Sequence, residues 1–274
     1  MSVEPNARTP QYVGISRERF AGKKWRRPAG YGHAATRTAV PVVAAELAPA
    51  ALRMPLAFVQ EGGRFVLVAI LSLTPGRNML VAPDGRWLGA YIPASVRAYP
   101  FALVPQSGGD QVTLCIDAAS GAVLDDGGPG EDFFDHEGNP ATATKQALDL
   151  LIGFERSRKI TDAAVSALAD AGVIQPWALK IKSGDAERML GGLYRIDEAA
   201  LGKLPDEAVL KLHRTGAALA IAYAQMFSMG QVAIFEQFEL LQQQLKPAAP
   251  VQPALPESLD SLFGIANDDT VRFR

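Results

Sequence analysis

Between Val40 and Asp117 the apolar positions come in short runs broken by Gly, Pro and Asp, the pattern of strands joined by tight turns. Leu56–Gln60 and Phe65–Ile70 flank Glu61-Gly62-Gly63-Arg64, which predicts a β-hairpin with a Gly-containing loop. Asn78–Val81 and Trp87–Ile92 flank Pro83-Asp84-Gly85-Arg86 and predict a second hairpin by the same logic. Phe101–Val104 and the run Val112–Ile116 extend the series. Val40–Val43 leads into a short helix from Ala44 that ends near Pro49. Five or more strands with short connections imply a bent, mainly antiparallel sheet.

Beyond a Gly-rich acidic loop, Ser120 to Pro140, the period changes. Leu148, Leu151, Ile152 and Glu155 recur at helical spacing, and Thr161-Asp162 is suited to cap a following helix that Gly172 stops. Trp177–Lys182 alternates like a half-buried strand. Leu193–Ile196 makes another, with Ser183-Gly184-Asp185 as the turn between them. Asp197 and Asp206 fit helix starts, the second opening a long apolar helix. The fold class is therefore α+β, a bent mainly antiparallel sheet with a C-terminal helical layer. Three regions follow: an extended N-terminal arm (1–38), the α+β domain (39–246), and a proline-rich linker with a C-terminal docking segment (247–274). In the last, Pro247, Pro250, Pro253 and Pro256 space the linker, and Leu259, Leu262, Phe263 and Ile265 fall on one face of a short helix. That face suits either a groove on a partner or the chain's own domain.

The charge balance narrows the partners. With 27 basic and 29 acidic residues in 274, the formal charge of −2 gives no field to attract nucleic acid, so none is expected. The basic cluster Arg17, Arg19, Lys23, Lys24, Arg26, Arg27 reads as a solvated arm wrapping the domain. Its alternative is a docking arm with Trp25 as an amphipathic anchor. Cys115, the one cysteine, lies in a strand-like run and acts as a small hydrophobe. With no secretory signal at Met1–Asn6, the expected location is the cytoplasm, nonclassical export being left open. Gly216–Phe235 is apolar but diluted by Gln225, Ser228 and Gln231, so it reads as a core helix, without transmembrane insertion.

Chemical motifs are sparse. His33, His136 and His213 lie far apart, with no His-Glu-x-x-His and no cysteine pair for zinc. Met226-Phe227-Ser228-Met229-Gly230 is the nearest approach to a nucleophile elbow, but its first glycine is missing and it lies in an apolar helix. Gly127-Gly128-Pro129-Gly130 is followed by Glu131-Asp132, which repels phosphate. The acidic loop offers hard oxygens from Asp125, Asp126, Glu131, Asp132, Asp135 and Glu137, with His136 among them. Its spacing fails the EF-hand template, and a solvated loop is the preferred reading over an ion site or a catalytic centre. No catalytic residue and no cofactor is assigned. The Trp87–Phe101 segment carries Trp87, Tyr91, Arg97 and Tyr99, side chains suited to stacking and forked hydrogen bonds. Its competing role is a structural corner fixed by Pro93 and Pro100.

Several of these segments, taken in order, resemble the SapC family. They are Pro41–Leu47, Met54–Phe58, Asn78–Val81 with Gly85-Arg86-Trp87, Tyr91–Ala94, Arg97–Phe101, Gly192–Glu198 and Ala222-Tyr223-Ala224. The resemblance covers about residues 38 to 241. It implies a link to bacterial surface-layer biology, from which the family is named, and an accessory role beside outer-membrane receptors and tryptophan-halogenase-like proteins. It brings no catalytic residues. The expectation is a noncatalytic interaction protein with a protein partner, contacted through Trp87, Tyr91, Arg97, Tyr99, Leu259, Leu262, Phe263 and Ile265. A peptide-directed hydrolase or modifying enzyme and a structural surface-layer component are the alternatives.

Overall fold

The computed structural model describes residues 9–106, 111–125, 128–183 and 186–245, without the side chains of 181–183 and 186–188. The predicted docking segment with Leu259, Leu262, Phe263 and Ile265 lies outside the described residues, as do Asp126 and Gly127.

Strands in the described residues pair antiparallel throughout, but they divide into four open sheets. The largest has the order Ile174–Pro176, Tyr194–Ile196, Leu56–Glu61, Arg64–Ile70, Ala39–Pro41. Its centre is the predicted hairpin, in register from Leu56 opposite Ala69 to Glu61 opposite Arg64. A second sheet joins Tyr12–Gly14, Val112–Asp117 and Phe101–Pro105. Lys24–Trp25 lies between Val123–Leu124 and Glu131–Asp132 in a third.

The second predicted hairpin is cut back to its turn end. Val81 and Trp87 make a single isolated bridge, flanked by the Ala82 N–H on the Arg86 carbonyl (2.8 Å) and the Leu88 N–H on the Leu80 carbonyl (2.7 Å). The Asn78 side chain folds back to accept from the Leu80 N–H at 2.9 Å. The Met79 and Val81 carbonyls accept from the buried Gln242 amide at 3.0 and 2.7 Å. The Leu80 N–H, which would have extended the ladder to Leu88, is thus taken by a side chain, the competition that short polar side chains offer to ladders. The hairpin expected between Trp177–Lys182 and Leu193–Ile196 is also rearranged. Leu179–Ser183 pairs with Ala186–Leu190, while Tyr194–Ile196 inserts into the main sheet.

Thr142–Asp170 is one continuous helix of 29 residues, where a new start at Thr161 was expected. Thr161 Oγ1 donates to the Ser157 carbonyl (2.7 Å) within the helix and accepts from the Ala44 N–H (2.8 Å). Ser157 Oγ accepts from Ala45 N–H at 2.9 Å. The Thr161 hydroxyl, suited by sequence to a cap, instead joins Ser157 in satisfying the entry of the neighbouring helical segment, Ala44–Ala51. Pro49 sits inside that segment, in the first turn of its α-helical part Leu47–Ala51, where a missing N–H costs little.

This helix, roughly 43 Å long at 1.5 Å per residue, links two hydrophobic cores. Ala164, Val165 and Leu168 join the first, with Phe58, Leu67 and Ile221. Leu151 joins the second, with Phe20, Trp25, Phe101, Ile116 and Phe133. Trp25, 2% exposed, is therefore core: it meets Phe101 edge-on at 4.7 Å and donates Nε1–H to Thr144 Oγ1 at 3.1 Å. It is not the surface anchor considered above.

The expected long apolar helix is broken at Gly216, which adopts φ 81°, a value that favours glycine. Asp206–Arg214 precedes it and Ala218–Ser228 follows, continuing through a tight turn to Ile234–Leu245. By length and composition Ala218–Leu245 is apolar enough to cross a membrane. One face is committed to the sheet. Gln225 accepts from the Ile196 N–H (2.9 Å) and donates to the Leu56 carbonyl (3.2 Å), while Ser228 Oγ accepts from the Leu56 N–H (2.9 Å).

Candidate functional site

A cleft opens at the seam between the two cores. One wall comes from the chain just after Trp25, running through Arg27, Pro28, Gly30, Tyr31 and His33. Facing it are Val96, Arg97, Ala98 and Tyr99, from the turn that precedes strand Phe101–Pro105. Gln146, Ala147 and Leu150 of the long helix form the floor, and the cavity holds about 310 Å³. That is the lower end of the small-molecule range.

The first wall is fixed by a close backbone approach. Tyr31 N–H donates to the Gly85 carbonyl at 2.7 Å, and a Cβ on Gly30 would lie 2.7 Å from that same oxygen. Only glycine fits there. The opposite wall is held by Glu46, a buried carboxylate that accepts from the Ala94 N–H (2.8 Å), the Tyr91 hydroxyl (2.6 Å) and the Val43 N–H (3.2 Å). Burial and the Glu46 carboxylate together push the Tyr91 phenol well above its usual pKa, so the hydroxyl stays a donor.

His33 and Tyr99 form the centre. Their rings stack with centroids 4.0 Å apart and planes 13° from parallel. The Tyr99 hydroxyl donates to Asp117 Oδ2 at 3.1 Å, and Asp117 Oδ1 accepts from the N–H groups of Gln11 and Ala119. Burial, reinforced by the Asp117 charge, raises the Tyr99 pKa to about 12. Burial lowers that of His33 to about 4, helped by the charge of Arg37 and opposed by the Val96 carbonyl. Both rings are thus uncharged near neutrality. His33 Nε2 lies 3.3 Å from the Val96 carbonyl, which makes it the donor nitrogen. Nδ1 is left a buried acceptor with no partner.

The same two rings line two adjoining hollows. One, of about 610 Å³, adds Arg37, Thr36, Asp117 and Ser120; a smaller one adds Tyr12, Phe154 and Glu155. Among the described residues, no carboxylate pairs with Arg27, Arg37 or Arg97. A separate groove of about 520 Å³ beside strand Arg64–Ile70 is lined by charges of both signs, with Arg158 already paired to Glu155 and Asp162.

Of the four described residues proposed for partner binding, Arg97 and Tyr99 line the cleft. Trp87 and Tyr91 support it from behind. Trp87 donates Nε1–H to the Tyr91 carbonyl (2.8 Å) and packs edge-on against Tyr31 at 5.6 Å. In sequence Arg27 belongs to the basic cluster and His33 is one of three scattered histidines; with Tyr31 and Gln146, which carry no motif, they meet only through folding. His136 and His213 are exposed and line none of these cavities. In the acidic loop, Asp125 and Asp132 pair with Lys23 (2.6 Å) and Lys24 (3.1 Å), and Asp135 caps its own turn. No cluster of three or more His, Cys, Asp or Glu among the described residues is arranged to hold a metal.

The SapC family model matches residues 15–234. It therefore takes in most of the segment read as an N-terminal arm, including Phe20, Trp25 and the first wall of the cleft. No curated protein and no solved structure matches the chain.

Proposed function

The chain belongs to the SapC family, and we propose that it works as a noncatalytic interaction protein, accessory to bacterial surface functions, that receives its partner in the His33–Tyr99 cleft. The observation that carries this is the neutral stacked pair at the centre, ringed by arginines that pair with no carboxylate among the described residues. A phenol raised to about 12 and an imidazole lowered to about 4 are poor proton shuttles at pH 7. They are good fixed surfaces, offering a flat face and directed hydrogen bonds. Guanidinium groups beside aromatic rings are frequent anchors of binding energy. The link to surface functions rests on the family's name alone. Leu259, Leu262, Phe263 and Ile265 are proposed as a second contact.

Affinity purification of tagged protein from its native host, comparing the native chain with Arg27→Glu, tests the reading. Arg27 is exposed, so the substitution spares the fold. Loss of a specific partner from Arg27→Glu supports the cleft as the binding face; equal recovery removes it. Removing residues 247–274 tests the second contact in the same way.

An enzymatic alternative has one observation in its favour, an unpartnered ring nitrogen, Nδ1, on a histidine that lines a concave site. Chemical conversion of a captured partner, abolished by His33→Gln, would establish it in place of the binding role.

A further inference from the structure

We propose that the cleft between Arg27 and Arg97 binds the α-carboxylate of an N-acylated apolar amino acid, the group presented by the last residue of a polypeptide or by a free acyl amino acid. This rests on the recognition role above and names what is recognised.

Three observations converge. First, the residues lining this cavity include two arginines and no aspartate or glutamate, so it is electropositive although the whole chain carries −2. A guanidinium fork matches a carboxylate with two parallel hydrogen bonds. Second, Val96, Ala98, Ala147 and Leu150, with the Tyr31 and Tyr99 rings, supply an apolar lining for a hydrocarbon side chain. A bare inorganic anion would leave that lining unused. Third, His33 lines the cavity, and its Nδ1, closed off from solvent in this conformation, has no donor. A small turn of the imidazole brings that acceptor to an amide N–H one bond from the α-carbon that bears the carboxylate. Anion, apolar body and neighbouring N–H are together the features of an acylated amino acid's end. The volume of about 310 Å³ accommodates one such residue and not a folded segment.

The probe is N-acetylphenylalanine, titrated into the full-length protein while the histidine ring signals are followed by NMR. The chain has only three histidines, so His33 can be resolved. The expected result is a saturable shift of the His33 ring, absent with N-acetylphenylalanine amide. Arg27→Gln and Arg97→Gln should each weaken binding about tenfold, the value of one charge-assisted hydrogen bond. Both arginines are exposed, so an unchanged melting temperature serves as the control for folding. Equal shifts from acid and amide, no His33 shift from either, or inorganic phosphate competing at equal concentration would each overturn the proposal.

A hexapeptide ending in phenylalanine separates the two sources. Tighter binding than the single residue supports a polypeptide end, and equal binding supports the free acid. If the acid fails to bind while Arg27→Glu still loses its partner, this inference falls and the recognition role stands. If the acid binds but partner capture ignores the cleft, the reverse holds.

Discussion

The His33 ring lies flat on the Tyr99 ring at 4.0 Å, and the Tyr99 hydroxyl is tied to Asp117. The residues come from opposite walls of the cleft, so one stack and one hydrogen bond close its inner end. Tyr99→Phe keeps the stack and leaves Asp117 Oδ2 without its donor. It should cost about 1–2 kcal/mol in urea unfolding. Tyr99→Ala removes the stack as well and should cost more. Equal losses for the two variants would show that the stack contributes nothing.

Stability should depend on the same histidine. In the unfolded chain an imidazole titrates near 6.5, whereas His33 in the fold titrates at about 4. Between these values the unfolded state binds the extra proton, so acidification favours unfolding. Its contribution is complete above pH 6.5 and is lost as pH falls towards 4. Arg37, on its own segment, works in the same direction. A pH series of unfolding midpoints for the native protein and His33→Gln checks this: the native protein should lose more between pH 6.5 and 4.

Gln225 joins the helix Ala218–Ser228 to two strands of the main sheet. Gln225→Leu keeps the volume but strands the Ile196 N–H and the Leu56 carbonyl, both buried. Each unsatisfied group costs roughly 1–3 kcal/mol, so the variant should unfold at clearly lower denaturant. Hydrogen exchange should quicken first at the Ile196 amide.

Glu46 accepts three donors with two oxygens. Glu46→Gln replaces one of those acceptors by an NH₂ facing a donor. The expected outcome is a loss of roughly 2 kcal/mol or more, with loosening of Tyr91 and the Trp87 beside it. A change in tryptophan fluorescence at temperatures below the main unfolding transition would report it.

Gly30→Ala should be severe for its size. The added methyl meets the Gly85 carbonyl backbone at 2.7 Å, where nothing flexible can give way. A cost of about 1–3 kcal/mol follows from comparable overpacking, together with weakened binding of any cleft ligand. An unchanged melting temperature would mean that the two loops separate freely.

The chain's own pattern carried the pairing of Leu56–Gln60 with Phe65–Ile70, the helix through Leu151 and the antiparallel character of the sheets. Those are local signals, because period and turn chemistry act over a few residues. What misled was local chemistry put to another use. Thr161 looked like a cap and instead holds Ala44; Asn78–Val81 looked like a full strand but pairs with Trp87 at one bridge, its Leu80 N–H taken by the Asn78 side chain. Arg97 and Tyr99 could be picked out as side chains with recognition chemistry. His33 could not, since nothing adjacent to it in sequence differs from a loop.

Composition and order of residues alone determined that this is an α+β chain with a balanced charge, an apolar core and the marks of the SapC family. Tertiary structure alone decided that Trp25 is core, that residues after it face Arg97 and Tyr99, and that the arginines gather where no carboxylate lines the wall. A cleft is made of residues far apart in the chain, here joined across more than a hundred positions by the helix Thr142–Asp170 and its neighbours. No short-range pattern encodes such a meeting, because burial and charge at one place depend on which distant segments arrive there.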